Sequence, residues 1–222
     1  MVSKKKSGDI AEEIASASLD KYGDPQRRKV RPPMDQMVQS LLWRYTSVRR
    51  GTRGMRQLKR HFVDWNEVRV SPVREVQNAM SSANWAWESA RHLKKVLDSL
   101  FHLRNSMALD FLEELTVAQA RTFMRSIQEV PRDLGDEVLL FIRKADLLPV
   151  GEDTARMCYR LGLVDNDRAT LKNQKALMKL WDTDVYPVVA QFFADNARTI
   201  CRQDEPRHGK CSLDSLCPRV GL

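Results

Sequence analysis

The apolar residues of this 222-residue chain recur at helical spacing and do not alternate with polar ones over any strand-length window. Period-two faces are therefore excluded, and period-3.6 faces remain. Residues 34–45 set the pattern, with Met34, Met37, Val38, Leu41, Leu42 and Tyr45 on one side. A long helix is expected over 85–100, with Trp85, Ala86, Ser89, Leu93, Val96, Leu97 and Leu100 inward. Shorter helices are expected over 110–115, 117–128, 134–142, 153–161, 171–180 and 185–200, with Thr116 as one cap and Gly162 as one stop. Gly51 and Gly54 are expected to interrupt a segment that resumes through Met55, Leu58 and Phe62. Ser71-Pro72-Val73-Arg74-Glu75 reads as a helix start, with Ser71 as cap and Pro72 in the first turn. Many short helices joined by short loops make an all-α protein, not a simple four-helix bundle.

At 42% hydrophobic the chain can fill a core, and disorder as the main state is excluded. Four Cys are too sparse for a disulfide-framed module. No apolar window reaches the length of a membrane span, and Lys4, Lys5 and Lys6 are not followed by the apolar stretch of a secretory signal. The expected setting is reducing cytoplasm, with no membrane partner and a monomeric chain. Residues 1–32 are expected as a basic N-terminal segment, its first residues mobile. The helical body follows over 33–200, opened by Pro32-Pro33.

The formal charge is +8, from 37 Lys and Arg against 29 Asp and Glu. A basic group, Arg27, Arg28, Lys29 and Arg31, precedes the Pro pair. More telling are Arg49, Arg50, Arg53, Arg56, Lys59 and Arg60, with no acid among them. Arg49, Arg53, Arg56 and Arg60 share one face of a helix, where like charges repel unless a polyanion relieves them. The alternative is a solvated face beside an acidic neighbour. Trp65, Trp85 and Trp181 sit among core-spaced residues, while Trp43 is the best placed to stack on a base.

Residues 201–218 carry the densest group of ligand-type side chains: Cys201, His208, Cys211 and Cys217, spaced Cys-x6-His-x2-Cys-x5-Cys. Thiolates and an imidazole suit an iron–sulfur cluster or tetrahedral zinc. Free cysteines and no cofactor are the alternative. Arg202, Arg207 and Lys210 are expected to lower the thiol pKa values. Cys158 reads as a buried small hydrophobe.

Taken in order, Phe62-Val63-Asp64-Trp65-Asn66-Glu67-Val68, Ser71 to Glu75, Ala90-Arg91-His92-Leu93, residues 112–120, Arg160 to Val164 and the Cys/His run resemble the endonuclease III group of helix-hairpin-helix DNA glycosylases. The terminal motif of that family is Cys-x6-Cys-x2-Cys-x5-Cys, and here His208 stands in the second place. The resemblance implies two helical lobes with a central cleft, a hairpin and a C-terminal metal loop holding a 4Fe-4S cluster. It also implies double-stranded DNA as partner, a flipped base, an Asp in the chemistry and, in bifunctional members, a Lys nucleophile.

The departures fall on the chemistry. In the ungapped register the Lys place is Asp133, and a register that matches Val130-Pro131 to Leu-Pro supplies no Lys either. The nearest amine along the chain is Lys144. The Asp place is Gly151, which leaves Glu152 and Asp153 as the carboxylate candidates, Asp153 being more simply a helix cap. In the hairpin Glu129, Val130 and Pro131 replace residues whose amides approach phosphate, and Tyr45 stands where a Gln would reach into DNA. The expected function is a DNA-binding relative without glycosylase or lyase activity, contacting DNA through Arg44, Tyr45 and the 49–60 cations. The alternatives are a diverged glycosylase or abasic-site lyase, and a helical module that binds another protein.

Overall fold

The computed structural model describes residues 4–27, 29–80 and 87–222, with side chains from residue 7 onward. Trp85, Ala86 and Arg28 lie outside the described residues. The described residues form α-helices and short 3-10 turns, with no strand. They group into two compact units, one of residues 30–145 and one joining Met1–Lys29 to Asp146–Leu222. No helix among the described residues is long and apolar enough to cross a membrane.

The N-terminal segment is more than a lead-in. It forms α1 (Lys4–Tyr22), which buries Ile10, Ala11, Ile14 and Ser18 along one stripe. The stripe is narrow and partly polar, so periodicity alone gives it no prominence.

In the 30–145 unit, α2 (Pro33–Trp43) is buried along its whole length and packs against α3 (Val48–His61) and α8 (Arg132–Phe141). Pro33 opens α2, where its missing N–H costs nothing. Ser47 caps α3, which runs unbroken through Gly51 and Gly54. The expected interruption is absent because both glycines are buried on the packed side, and Gly51 has a specific reason to be there. A Cβ on Gly51 would lie 2.6 Å from Trp43 Cδ1, so only glycine lets α3 approach α2 this closely.

Asp64 caps α4 (Trp65–Val70), and the Glu67 carboxylate accepts from Val63 N–H in return. Ser71 closes α4 rather than capping α5 (Val73–Ala79), whose N-cap is Pro72. Next come α6 (Trp87–Arg104), a 3-10 turn at Asp110–Glu113, and α7 (Val117–Ser126). Thr116 caps α7, as the sequence suggests, and Gln119 completes a reciprocal capping box. Helices α7 and α8 pack on each other across Gly135, where an added Cβ would stand 3.0 Å from Met124 Cβ. The other unit adds α9 (Glu152–Arg160), α10 (Leu171–Leu177) and α11 (Tyr186–Thr199). There α11 packs against both α1 and α9.

Candidate functional site

Helix α3 separates its residues cleanly. Val48, Gly51, Gly54, Met55 and Leu58 are buried, while Arg49, Arg50, Arg53, Arg56, Lys59 and Arg60 are exposed. Lys59 is engaged by the carboxylate of Asp35 at 2.5 Å, which also accepts from Trp65 Nε1 at 2.9 Å. Arg44 is ion-paired with Asp133. Tyr45 is 41% exposed and shares a 2.6 Å hydrogen bond with His92 Nδ1. Burial, the largest cause, pushes the Tyr45 hydroxyl above its ordinary pKa. Trp43 cannot stack on a base: it is 1% exposed and packs edge-on against Phe141, so the sequence expectation is corrected to core.

Residues 127–131 form the turn between α7 and α8. Glu129 sits at its tip with φ +66°, a left-handed conformation usual for glycine. The backbone of this turn is tied inward by α6. Gln128 N–H donates to Ser99 Oγ at 2.7 Å, Glu129 O lies 2.8 Å from His92 Nε2, and Lys95 Nζ meets the Glu129 carboxylate at 2.7 Å. Ser99, Lys95 and His92 share one face of α6. Arg44, Tyr45, His92 and Arg125 wall an open groove beside the turn. Lys95 and Ser99 were not singled out from sequence, and His92 entered only within the Ala90 to Leu93 run of the resemblance, since polar residues on an exposed helix carry no signal of what they bond.

The carboxylate and amine positions are all occupied by structural bonds. Asp133 pairs with Arg44, and buried Asp136 takes a two-pronged contact from Arg121 at 2.8 and 2.9 Å. Lys144 donates to Glu113 O at 2.7 Å. Glu152 accepts from Ala169 N–H at 3.2 Å. Asp153 is not the cap of α9; that place is Gly151, which has no side chain to offer. Asp153 sits in the first turn, held by Arg156 at 2.7 Å and Arg198 at 3.3 Å.

Cys201, His208, Cys211 and Cys217 line one small recess, partly open to solvent, together with Arg160 and Asp214. Among the described residues, no three His, Cys, Asp or Glu side chains come close enough to hold a single metal ion. The donor set expected for an iron–sulfur cluster, or alternatively for zinc, is therefore not assembled among the described residues.

Buried Arg160 organises the recess. Its guanidinium donates to Arg202 O at 2.6 Å and Gln203 O at 2.9 Å, and its Nη1 stands 3.6 Å from Cys201 Sγ. Arg156, one helical turn earlier, donates to Ala197 O and Cys201 O. His208 Nδ1 lies 3.6 Å from Asp214 Oδ1. Contrary to the expectation of cation-lowered thiols, burial dominates and raises Cys211 and Cys217. Cys158 is fully buried, and burial pushes its thiol far up, as suits a core residue.

The described helices share the fold of endonuclease III structures and of two other DNA glycosylase structures. The chain is similar to a trapped endonuclease III–DNA covalent intermediate, with TM-score 0.68 and 17% identity over 99% of this chain and 97% of that one. A thermostable thymine-DNA glycosylase gives TM-score 0.63 and 14% identity over 99% and 98%. A 3-methyladenine DNA glycosylase of H. pylori bound to 1,N6-ethenoadenine gives 0.62 and 12% over 86% and 97%. In sequence, the chain is 25% identical over 131 residues to an Arabidopsis thaliana protein provisionally named a DNA glycosylase. That match covers 59% of this chain and 45%, under half, of the plant protein. No protein-family model matches the chain.

Proposed function

We propose that this protein binds double-stranded DNA through a glycosylase-type fold and performs neither base excision nor strand cleavage. The observation that carries the reading is the Asp133–Arg44 ion pair. A carboxylate occupies the place implied for the nucleophilic amine, and it is neutralised where it stands. Gly151 at the implied Asp place, and the engagement of Glu152 and Asp153 in structural bonds, support the same conclusion. Incubation with duplexes carrying oxidised pyrimidines, uracil, alkylated purines or abasic sites is expected to give binding without product. Base release or nicking in proportion to protein would overturn it.

The recess bears on the cofactor. The support is the donor chemistry: three thiols and an imidazole line one recess, one donor for each iron of a four-iron cluster. Cys201, Cys211, Cys217 and His208 would hold a 4Fe-4S cluster, with His208 offering Nε2 because its Nδ1 faces Asp214. When bound, such a cluster supplies a redox-active staple for the C-terminal loop. The Arg160 guanidinium beside Cys201 offsets thiolate charge in this half-buried place. Anaerobic purification with iron and acid-labile sulfide analysis tests this, and zinc without sulfide would reject it.

A diverged glycosylase is the second reading, favoured by the plant relative's name. A monofunctional enzyme needs no amine, so unchanged base release after Glu152→Ala and Asp153→Ala would remove those residues from it.

A further inference from the structure

The α7–α8 turn offers little to an anion. The Gln128 amide is spent on Ser99, Pro131 has no N–H, and the Glu129 carboxylate stands at the tip. Several cations of the 30–145 unit are matched to carboxylates: Arg44 to Asp133, Arg69 to Asp98, Lys95 to Glu129, Arg121 to Asp136 and, on α3 itself, Lys59 to Asp35. The arginines of α3 are different. Among the described residues, Arg49, Arg50, Arg53 and Arg60 make no ion pair, and Arg56 donates only to its own helix at Thr52 O. Arg49, Arg53, Arg56 and Arg60 follow one another at i, i+4, i+7 and i+11, a straight row about 16 Å long at the rise of an α-helix. Such like-charge neighbours destabilise a helix, and no carboxylate pairs with these arginines among the described residues.

Resting on the DNA-binding reading above, we propose that α3, and not the turn at 127–131, is the surface by which this unit tracks the phosphate backbone of duplex DNA. A rigid linear row of cations complements a rigid polyanion carrying roughly one charge per 1.7 Å of axis. The exposed side of α3 has no Leu, Ile, Phe or Trp to enter a lipid surface, since Val48, Met55 and Leu58 are all buried. It also has no Phe, Tyr or Trp on which unstacked bases of a single strand could lie. Contact with backbone alone makes the binding sequence-independent.

The test is fluorescence anisotropy of the full chain with a random duplex of about 20 base pairs across a salt series. The wild type is expected to show a slope of log K against log salt of about −4. Replacing Arg49, Arg53, Arg56 and Arg60 together by Ala should flatten the slope by about 3 to 4, and each alone by about 1. Replacement by Lys should retain the slope, and Ser99→Ala should leave it unchanged. Thermal melting of each variant reports folding, and if the quadruple variant unfolds the single variants decide. A folded Ala variant that keeps the wild-type slope overturns the assignment to α3 while leaving DNA binding intact. Wild-type protein that ignores duplex DNA overturns the DNA-binding reading itself. Equal binding to phosphatidylserine vesicles or to an acidic peptide, lost with the same arginines, overturns duplex as the partner.

Discussion

A single hydroxyl ties α1 to α11. Tyr22 Oη donates to the Asp195 carboxylate at 2.6 Å, and Lys21 approaches the same oxygen at 3.1 Å. Burial first, and then the bond to Asp195, pushes the Tyr22 hydroxyl well above its ordinary pKa of 10. A folded value raised above the unfolded one stabilises the protein fully below pH 10, and that contribution is lost as pH rises beyond it. Tyr22→Phe leaves buried Asp195 without its hydroxyl donor, at a cost of about 1–3 kcal/mol. In urea unfolding, the gap between wild type and variant should stay constant from about pH 6 to 9 and narrow above about pH 10. A gap that widens there would place the ionisation in the wrong state. None of this was readable beforehand, because Tyr22 and Asp195 are separated by 173 positions and neither belongs to a motif. The Cys/His spacing, in contrast, did bring four donors to one recess, since seventeen residues of loop can only fold back locally. What spacing did not contain was Arg160, an arginine on an amphipathic helix that reads as surface and is buried instead.

Helix boundaries were legible where a side chain performs the capping and illegible where the backbone does. Thr116 announced α7, whereas Gly151 and Pro131 start α9 and α8 with no side-chain bond. The glycines of α3 were misread because propensity penalises them by about 1 kcal/mol each, and only the neighbouring indole shows why Gly51 is tolerated. Gly51→Ala should therefore destabilise the protein by about 1–2 kcal/mol, the clash with Trp43 outweighing the gain in propensity. A chemical-denaturation midpoint above wild type would mean that α3 can slide away from α2 at no cost. The α7–α8 turn gives a second element-scale expectation. Ser99→Ala removes the acceptor of Gln128 N–H, which should cost about 0.5–1.5 kcal/mol and speed hydrogen exchange at that amide. Unchanged exchange would show that the turn holds its shape without α6.

At the scale of the whole molecule, the two units differ in how the chain supplies them. The 30–145 unit is continuous, and its core joins neighbouring helices, α2 with α3, α5 with α6 and α7 with α8, to one longer-range pair, α2 with α8. The other unit needs both ends of the chain. Its last helix buries Val188, Val189, Phe192 and Phe193, and α1 contributes Ile10, Ala11 and Ile14 from the far terminus. Trp181 Nε1 donates to Ala11 O at 2.8 Å, a contact spanning 170 positions. The family resemblance implies a lobe that combines the terminal segments, as found, whereas the residues themselves do not mark it, because the Pro pair shows where a helix starts and says nothing of which later segment α1 will join. Loop closure over such a distance must precede the contacts that reward it, so this unit should form last. Residues 30–145 expressed alone should be helical by circular dichroism and melt cooperatively. Residues 146–222 alone should show neither property until a peptide of residues 1–29 is added, since the apolar face of α11 is otherwise left in water. Cooperative melting of 146–222 without the peptide would show instead that α9, α10 and the arginine-held loop suffice as a core, and that α1 is an addition rather than a part of it.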